Sequence, residues 1–63
     1  MTELEKLYQN MADTLEQGVT DLEKFQDGNM SAGTRVRKHM QTVKDLAQKV
    51  RITVQEQKNA VAA

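Results

Sequence analysis

The chain has 63 residues, no cysteine, no proline and a formal net charge of zero. That leaves room for one small domain (1–63), excludes disulfides and thiolate metal sites, and makes a partner the expected remedy for a small core. One histidine and dispersed carboxylates offer no metal site, and no apolar run suits a membrane span or a signal peptide, so the chain reads as soluble and cytoplasmic.

Good helix formers (Glu, Lys, Gln, Leu, Met, Ala) dominate. A first helix is predicted over about 2–27. Thr2 and Glu5 have the spacing of a capping box, and Leu4, Tyr8, Met11, Leu15, Gly18, Leu22 and Phe25 follow in alternating steps of four and three. Asp27-Gly28-Asn29 marks a turn over about 28–30, with Gly28 placed to end the helix in the left-handed conformation. A second helix is predicted over about 31–59, capped by Asn29 or Ser31. Its seam is Gly33, Val36, Met40, Val43, Ala47, Val50 and Val54, and Ala60 to Ala63 are expected to fray.

The two seams test each other. In an antiparallel hairpin, facing layers have residue numbers with a constant sum. Leu4 with Val54, Leu15 with Val43, Leu22 with Val36 and Phe25 with Gly33 all share one sum, which centres the turn on Asn29. Gly18 then faces Met40 and Gly33 faces Phe25, a small residue opposite a large one each time, which gives two helix-interior glycines a packing role. The predicted fold is an all-α, antiparallel, coiled-coil-like two-helix hairpin.

Residues flanking the seams determine what else the hairpin can touch. One edge of helix 2 carries Arg37, Lys44, Arg51 and Lys58, a basic row repeating every seven residues, opposed on helix 1 only by Glu5, which is expected to offset Arg51. The other edge holds Leu7, Thr14 and Asp21 with His39, Leu46 and Thr53. Leu7, Thr14, Leu46 and Thr53 are expected to face a second copy, giving a homodimeric four-helix bundle, with a monomeric hairpin as the alternative. His39 falls opposite Asp21 without a nucleophile or second ligand beside it, which favours a structural role.

No catalytic constellation emerges, and no cofactor or small-molecule substrate is implied: there is no phosphate loop, no histidine pair and no cleft-forming strand. Charge is unevenly divided. The first 27 residues hold seven acids against two bases, and the remainder reverses those numbers. Two readings of this stand side by side, an anionic partner or mutual neutralisation of the helices. The same choice arises at Ser31-Ala-Gly-Thr-Arg-Val-Arg-Lys38. There Arg35, Arg37 and Lys38 crowd the positive end of a helix dipole, either as a phosphate dock or as ion-pair partners for Asp21, Glu23 and Asp27.

Gly28-Asn29 and Ser31-Ala-Gly-Thr-Arg-Val-Arg-Lys38, followed by Leu46-Ala-Gln-Lys-Val-Arg51 and Val54-Gln-Glu-Gln-Lys58, resemble the bacterial linker-histone-like family, the chlamydial-type Hc nucleoid proteins. The resemblance implies a nucleoid-associated protein that binds and compacts DNA without strong sequence preference. Arg35, Arg37 and Lys38 match the family's basic turn segment, and Arg51 and Lys58 match later basic positions. Longer members continue into a Lys/Ala-rich tail that this sequence lacks, so the implied binding is weak, salt-sensitive or dependent on dimer avidity. With Lys44 from the basic row, these residues form the expected DNA-binding set. RNA would use the same surface, and a protein-interaction or assembly scaffold is the alternative function.

Overall fold

Two local signals start and stop the first helix. The Thr2 hydroxyl accepts from the Glu5 backbone N–H at 3.1 Å, and the Glu5 carboxylate accepts from the Thr2 N–H at 3.1 Å, so the capping box closes in both directions. Helix α1 then runs over Glu3–Gln26. At its far end Gly28 takes φ +103°, its N–H donates to the Phe25 carbonyl at 3.0 Å, and the Asn29 N–H reaches back to Lys24 at 2.9 Å. Those two bonds are the paired closures of a Schellman motif, which needs a residue free of Cβ crowding at its left-handed position. Asn29 starts the next helix: its carbonyl and its side-chain oxygen both accept from the Ala32 N–H, which settles the capping residue in favour of Asn29 over Ser31.

The computed structural model describes residues 1–62, and within them helix α2 covers Met30–Ala62. The helix thus runs to Ala62, past the predicted end at about 59. No proline or glycine interrupts this alanine-rich end, and each added residue supplies its own backbone hydrogen bond. The part of the fraying expectation that concerns Ala63 lies outside the described residues. The all-α hairpin is as predicted: α1 and α2 pack on each other in a layer whose Cα atoms extend 53 × 19 × 11 Å.

The register also follows the constant-sum rule. A Cβ placed on Gly33 would sit 2.7 Å from the Phe25 ring, so that predicted layer is in tight contact. The face each helix turns inward differs. The residues most covered in α1 are Leu4, Leu7, Met11, Thr14, Gly18 and Asp21, and those in α2 include Ala32, Val36, His39, Val43, Leu46, Val50 and Thr53. Tyr8, Leu15, Leu22, Met40 and Val54, predicted to be seam residues, are instead exposed, Tyr8 at 64 % and Leu15 at 47 %. Both helices have rolled about 50° from the predicted seam, half the angle between neighbouring residues. The roll places His39, one residue from the predicted Met40, over Gly18, where an added Cβ would sit 3.6 Å from the His39 ring.

This roll turns the expected dimer edge toward the neighbouring helix of the same chain. Leu7 is 8 % exposed and Thr14, Leu46 and Thr53 are half-buried, each on the side its helix turns toward the other helix of the hairpin. Thr14 tolerates this setting because its hydroxyl bonds the Asn10 carbonyl of its own helix at 2.8 Å. Small and polar residues line the inward face because they let the helices approach and, near the turn, let them cross-link. The bulkier stripe is left outside.

The glycine contacts predict opposite signs for one substitution. Gly18→Ala adds a methyl at ordinary contact distance and gains helix propensity, so thermal denaturation should show a stabilisation of about 0.5–1 kcal/mol. Gly33→Ala drives the methyl into the Phe25 ring, and a net loss of roughly 1–2 kcal/mol is expected despite the same propensity gain. A stabilising Gly33→Ala would contradict the close Phe25 contact.

Candidate nucleic-acid interface

Seven-residue spacing on a helix returns a side chain to nearly the same angle, about 10 Å further along the axis. Arg37, Lys44, Arg51 and Lys58 therefore form one exposed file along α2, spanning roughly 32 Å, close to the length of one duplex turn. Among the described residues none of the four has a carboxylate in salt-bridge range. The expected Glu5–Arg51 pair is absent because the Glu5 carboxylate is engaged at the start of its own helix. That capping bond, first with the Thr2 backbone and then with its hydroxyl, also holds Glu5 below the ordinary carboxylate pKa.

Lys38 lies further around the exposed side of α2, and it too has no ion-pair partner among the described residues. Arg35 is different. Its Nε donates to the Asp21 carboxylate at 2.8 Å, across the opposite border of the hairpin from the basic file. The two readings of the turn segment thus divide by residue: ion pairing accounts for Arg35, and Arg37 and Lys38 point outward. The structure brings four of the six expected DNA-binding residues into one file, sets Lys38 beside it, and ties Arg35 to the other helix.

Asp21 is the centre of a second cluster. Its other carboxylate oxygen lies 3.2 Å from His39 Nε2, which must carry the proton to donate to an ionised carboxylate. The Asp21 side chain is only 14 % exposed. The Arg35 hydrogen bond holds its pKa below the ordinary 3.8, burial opposes that shift, and the His39 bond adds to it. His39 opposite Asp21 was legible from the register; Arg35 joining them was not, because its position in the first turns of α2 suggested a phosphate contact equally well.

A third feature was missed. The roll of the helices leaves Tyr8, Leu15, Val19, Leu22, Phe25 and Met40 exposed on one side of the hairpin, with Val54 further along, and the basic file forms its α2 border. Shallow apolar grooves run between the helices there, one lined by Leu15, Val19, Leu22, Val36 and Met40 and another by Leu22, Phe25, Met30 and Val36. The sequence signal was present as a tie: apolar residues occupy both candidate columns of each helix, and one column was assigned to the seam. Among the described residues no group of three or more metal-ligating side chains converges, and no helix is long and apolar enough to cross a membrane.

The family model described as histone H1-like protein Hc1 matches residues 5–60, which covers both helices and the turn between them. The chain belongs to this family. No curated protein and no solved structure matches it. The match takes in every residue of the basic file and of the Asp21–Arg35–His39 cluster.

The cluster makes acid stability a test of the hairpin's closure. Asp21 has a depressed pKa in the folded state, so its contribution is fully present above the unfolded-state value and is lost as pH falls through the lower folded-state value. Melting temperatures measured from pH 6 downward should therefore decline below the ordinary carboxylate range. Asp21→Asn should lower stability at pH 6 and flatten that decline. An unchanged acid profile in the variant would remove Asp21 from the account.

Proposed function

We propose that this chain is a histone-like, nucleoid-associated protein that binds DNA through its phosphates, using Arg37, Lys44, Arg51 and Lys58 of α2 with Lys38 beside them. The observation that carries this reading is the straight file of exposed cations without carboxylate partners, in a chain of the histone H1-like Hc1 family. Each phosphate neutralised releases a condensed counterion, so a few such contacts give binding that is salt-dependent and indifferent to sequence. Nothing in the file resembles a side-chain set arranged to read base edges, since long flexible cations on a smooth helix surface position a duplex without discriminating its bases. Arg35 contributes less than its neighbours because binding phosphate would cost its Asp21 bond. RNA duplexes present the same phosphate charge and compete for the same file.

A protein-interaction scaffold is the second reading, and the exposed apolar side of the hairpin favours it. A salt series separates the two. Duplex DNA titrated with the chain should give a log–log salt slope of about −3.6 for four contacts, or roughly 100-fold weaker binding at 200 mM than at 50 mM salt. The combined Arg37→Glu, Lys44→Glu, Arg51→Glu variant should lose binding while circular dichroism still reports a helical chain. Arg35→Gln should leave the slope nearly unchanged. Absence of binding at 50 mM salt would favour the scaffold, and retention in the triple variant would remove the basic file from the account.

A further inference from the structure

Three polar groups meet between the helices near the turn, and they differ in how firmly each is held. The Asp21 carboxylate accepts from Arg35 Nε on one oxygen at 2.8 Å and faces His39 Nε2 with the other at 3.2 Å. The Asp21 side chain is 14 % exposed, His39 is 23 % and Arg35 is 46 %. The imidazole is fixed between the helices with Gly18 beneath it, whereas the guanidinium lies at the rim and is open to solvent. Arg35 is therefore the partner of Asp21 that is able to leave.

Its departure has a cost, which His39 reduces. A carboxylate this well covered is destabilised when nothing pairs with it. When Arg35 turns away, the His39 N–H still holds the second oxygen, so Asp21 keeps one donor. The destination is also near. Lys38 lies on the outward side of α2 without an ion-pair partner among the described residues, and residues three apart on a helix are surface neighbours. A guanidinium released from Asp21 comes beside the Lys38 ammonium. A phosphate drawn there replaces the negative charge of the carboxylate with an equally good bidentate acceptor.

We infer that Asp21 withholds Arg35 from phosphate and that a second proton on His39 releases it, which makes the cluster a proton-operated gate on one cation of the DNA-binding surface. The gate rests on the phosphate-binding reading of α2. Histidine is the side chain whose charge changes between about pH 5 and 8, and this chain has one. A neutral imidazole gives Asp21 an ordinary hydrogen bond, and Arg35 supplies the full positive charge. An imidazolium gives the same carboxylate a charge-assisted bond and repels the guanidinium beside it. Both effects favour phosphate over Asp21 as the partner of Arg35. The charged groups that face His39 are Asp21 from α1 and Arg35 from its own helix, and no other carboxylate is in salt-bridge range of it among the described residues.

Salt series of duplex DNA binding at pH 8 and at pH 6 test the gate, with circular dichroism checking that the chain is folded at each pH. The wild-type log–log slope should be about −3.6 at pH 8, the value for the file alone, and should steepen to about −4.5 at pH 6 as one more phosphate is contacted. Arg35→Gln retains every group that gains charge between those pH values, so a general effect of acidity survives in it. Its slope should stay at about −3.6 at both. His39→Gln keeps a donor for Asp21 that cannot become charged, and its slope should be equally insensitive to pH. Asp21→Asn should give about −4.5 already at pH 8. If Asp21→Asn loses its helicity, the comparison of wild type with Arg35→Gln decides alone. A wild-type slope that ignores pH, or a pH response that persists in Arg35→Gln, would overturn the gate and leave the file as the binding surface. Absence of binding at 50 mM salt and either pH would overturn the phosphate reading, and the gate with it.

Discussion

The turn between Asp27 and Asn29 sets the register on which every other contact in this hairpin depends. Gly28 adopts a conformation that a side chain would resist, two backbone bonds close the end of α1, and Asn29 immediately caps α2. So short a connection allows the helices only one antiparallel alignment. Phe25 meets Gly33, Asp21 comes within reach of both Arg35 and His39, and Gly18 lies beneath the His39 ring. Chain entropy makes the arrangement economical, because closing so small a loop costs little and every later contact forms between helices already aligned.

Register does not determine which face each helix turns inward, and here the outcome is set by polar chemistry near the turn. Burying Leu15, Leu22 and Met40 between the helices would remove more apolar surface than burying Thr14, Asp21 and His39. The rolled arrangement instead gains a charge-assisted bond from Arg35 and a second from His39, both to one carboxylate. It also lets Gly18 and Ala32 bring the backbones close. A hairpin alone gives up hydrophobic stabilisation by this choice. A hairpin with a second layer loses little, since the outer stripe is then covered from the other side.

This is why the fold was legible in the sequence and the inward face was not. Helix type, turn centre, capping box and register depend on local spacing and on one arithmetic constraint, and all are present in the chain. The face depends on a comparison between neighbouring columns, Leu7 against Tyr8, Thr14 against Leu15, His39 against Met40. Hydrophobicity ranks the second member of the last two pairs higher, and tertiary pairing with Asp21 outweighs it. Arg35 was ambiguous for a related reason: a cation near the N-terminal end of a helix is opposed by the dipole, and both a phosphate and a partner carboxylate would offset that. The basic file needed no such comparison, because seven-residue spacing alone puts Arg37, Lys44, Arg51 and Lys58 in line.

The division of charge between the two helices can serve the fold only in small part. A hairpin that used it for internal neutralisation would pair the acids of α1 with the bases of α2, yet among the described residues one arginine and one histidine make such contacts, both with Asp21. Arg37, Lys44, Arg51 and Lys58 stand on one border, with Glu16 and Glu23 on the far side of the other helix, too distant to meet within one chain. Exposed single pairs contribute little to stability, so leaving them apart costs the monomer almost nothing. The separation would matter between molecules, since a file of one sign steers the approach of a partner of the other sign. In a chain with no net charge, that separation leaves one border of the hairpin positive without giving the molecule as a whole a net repulsion toward other copies.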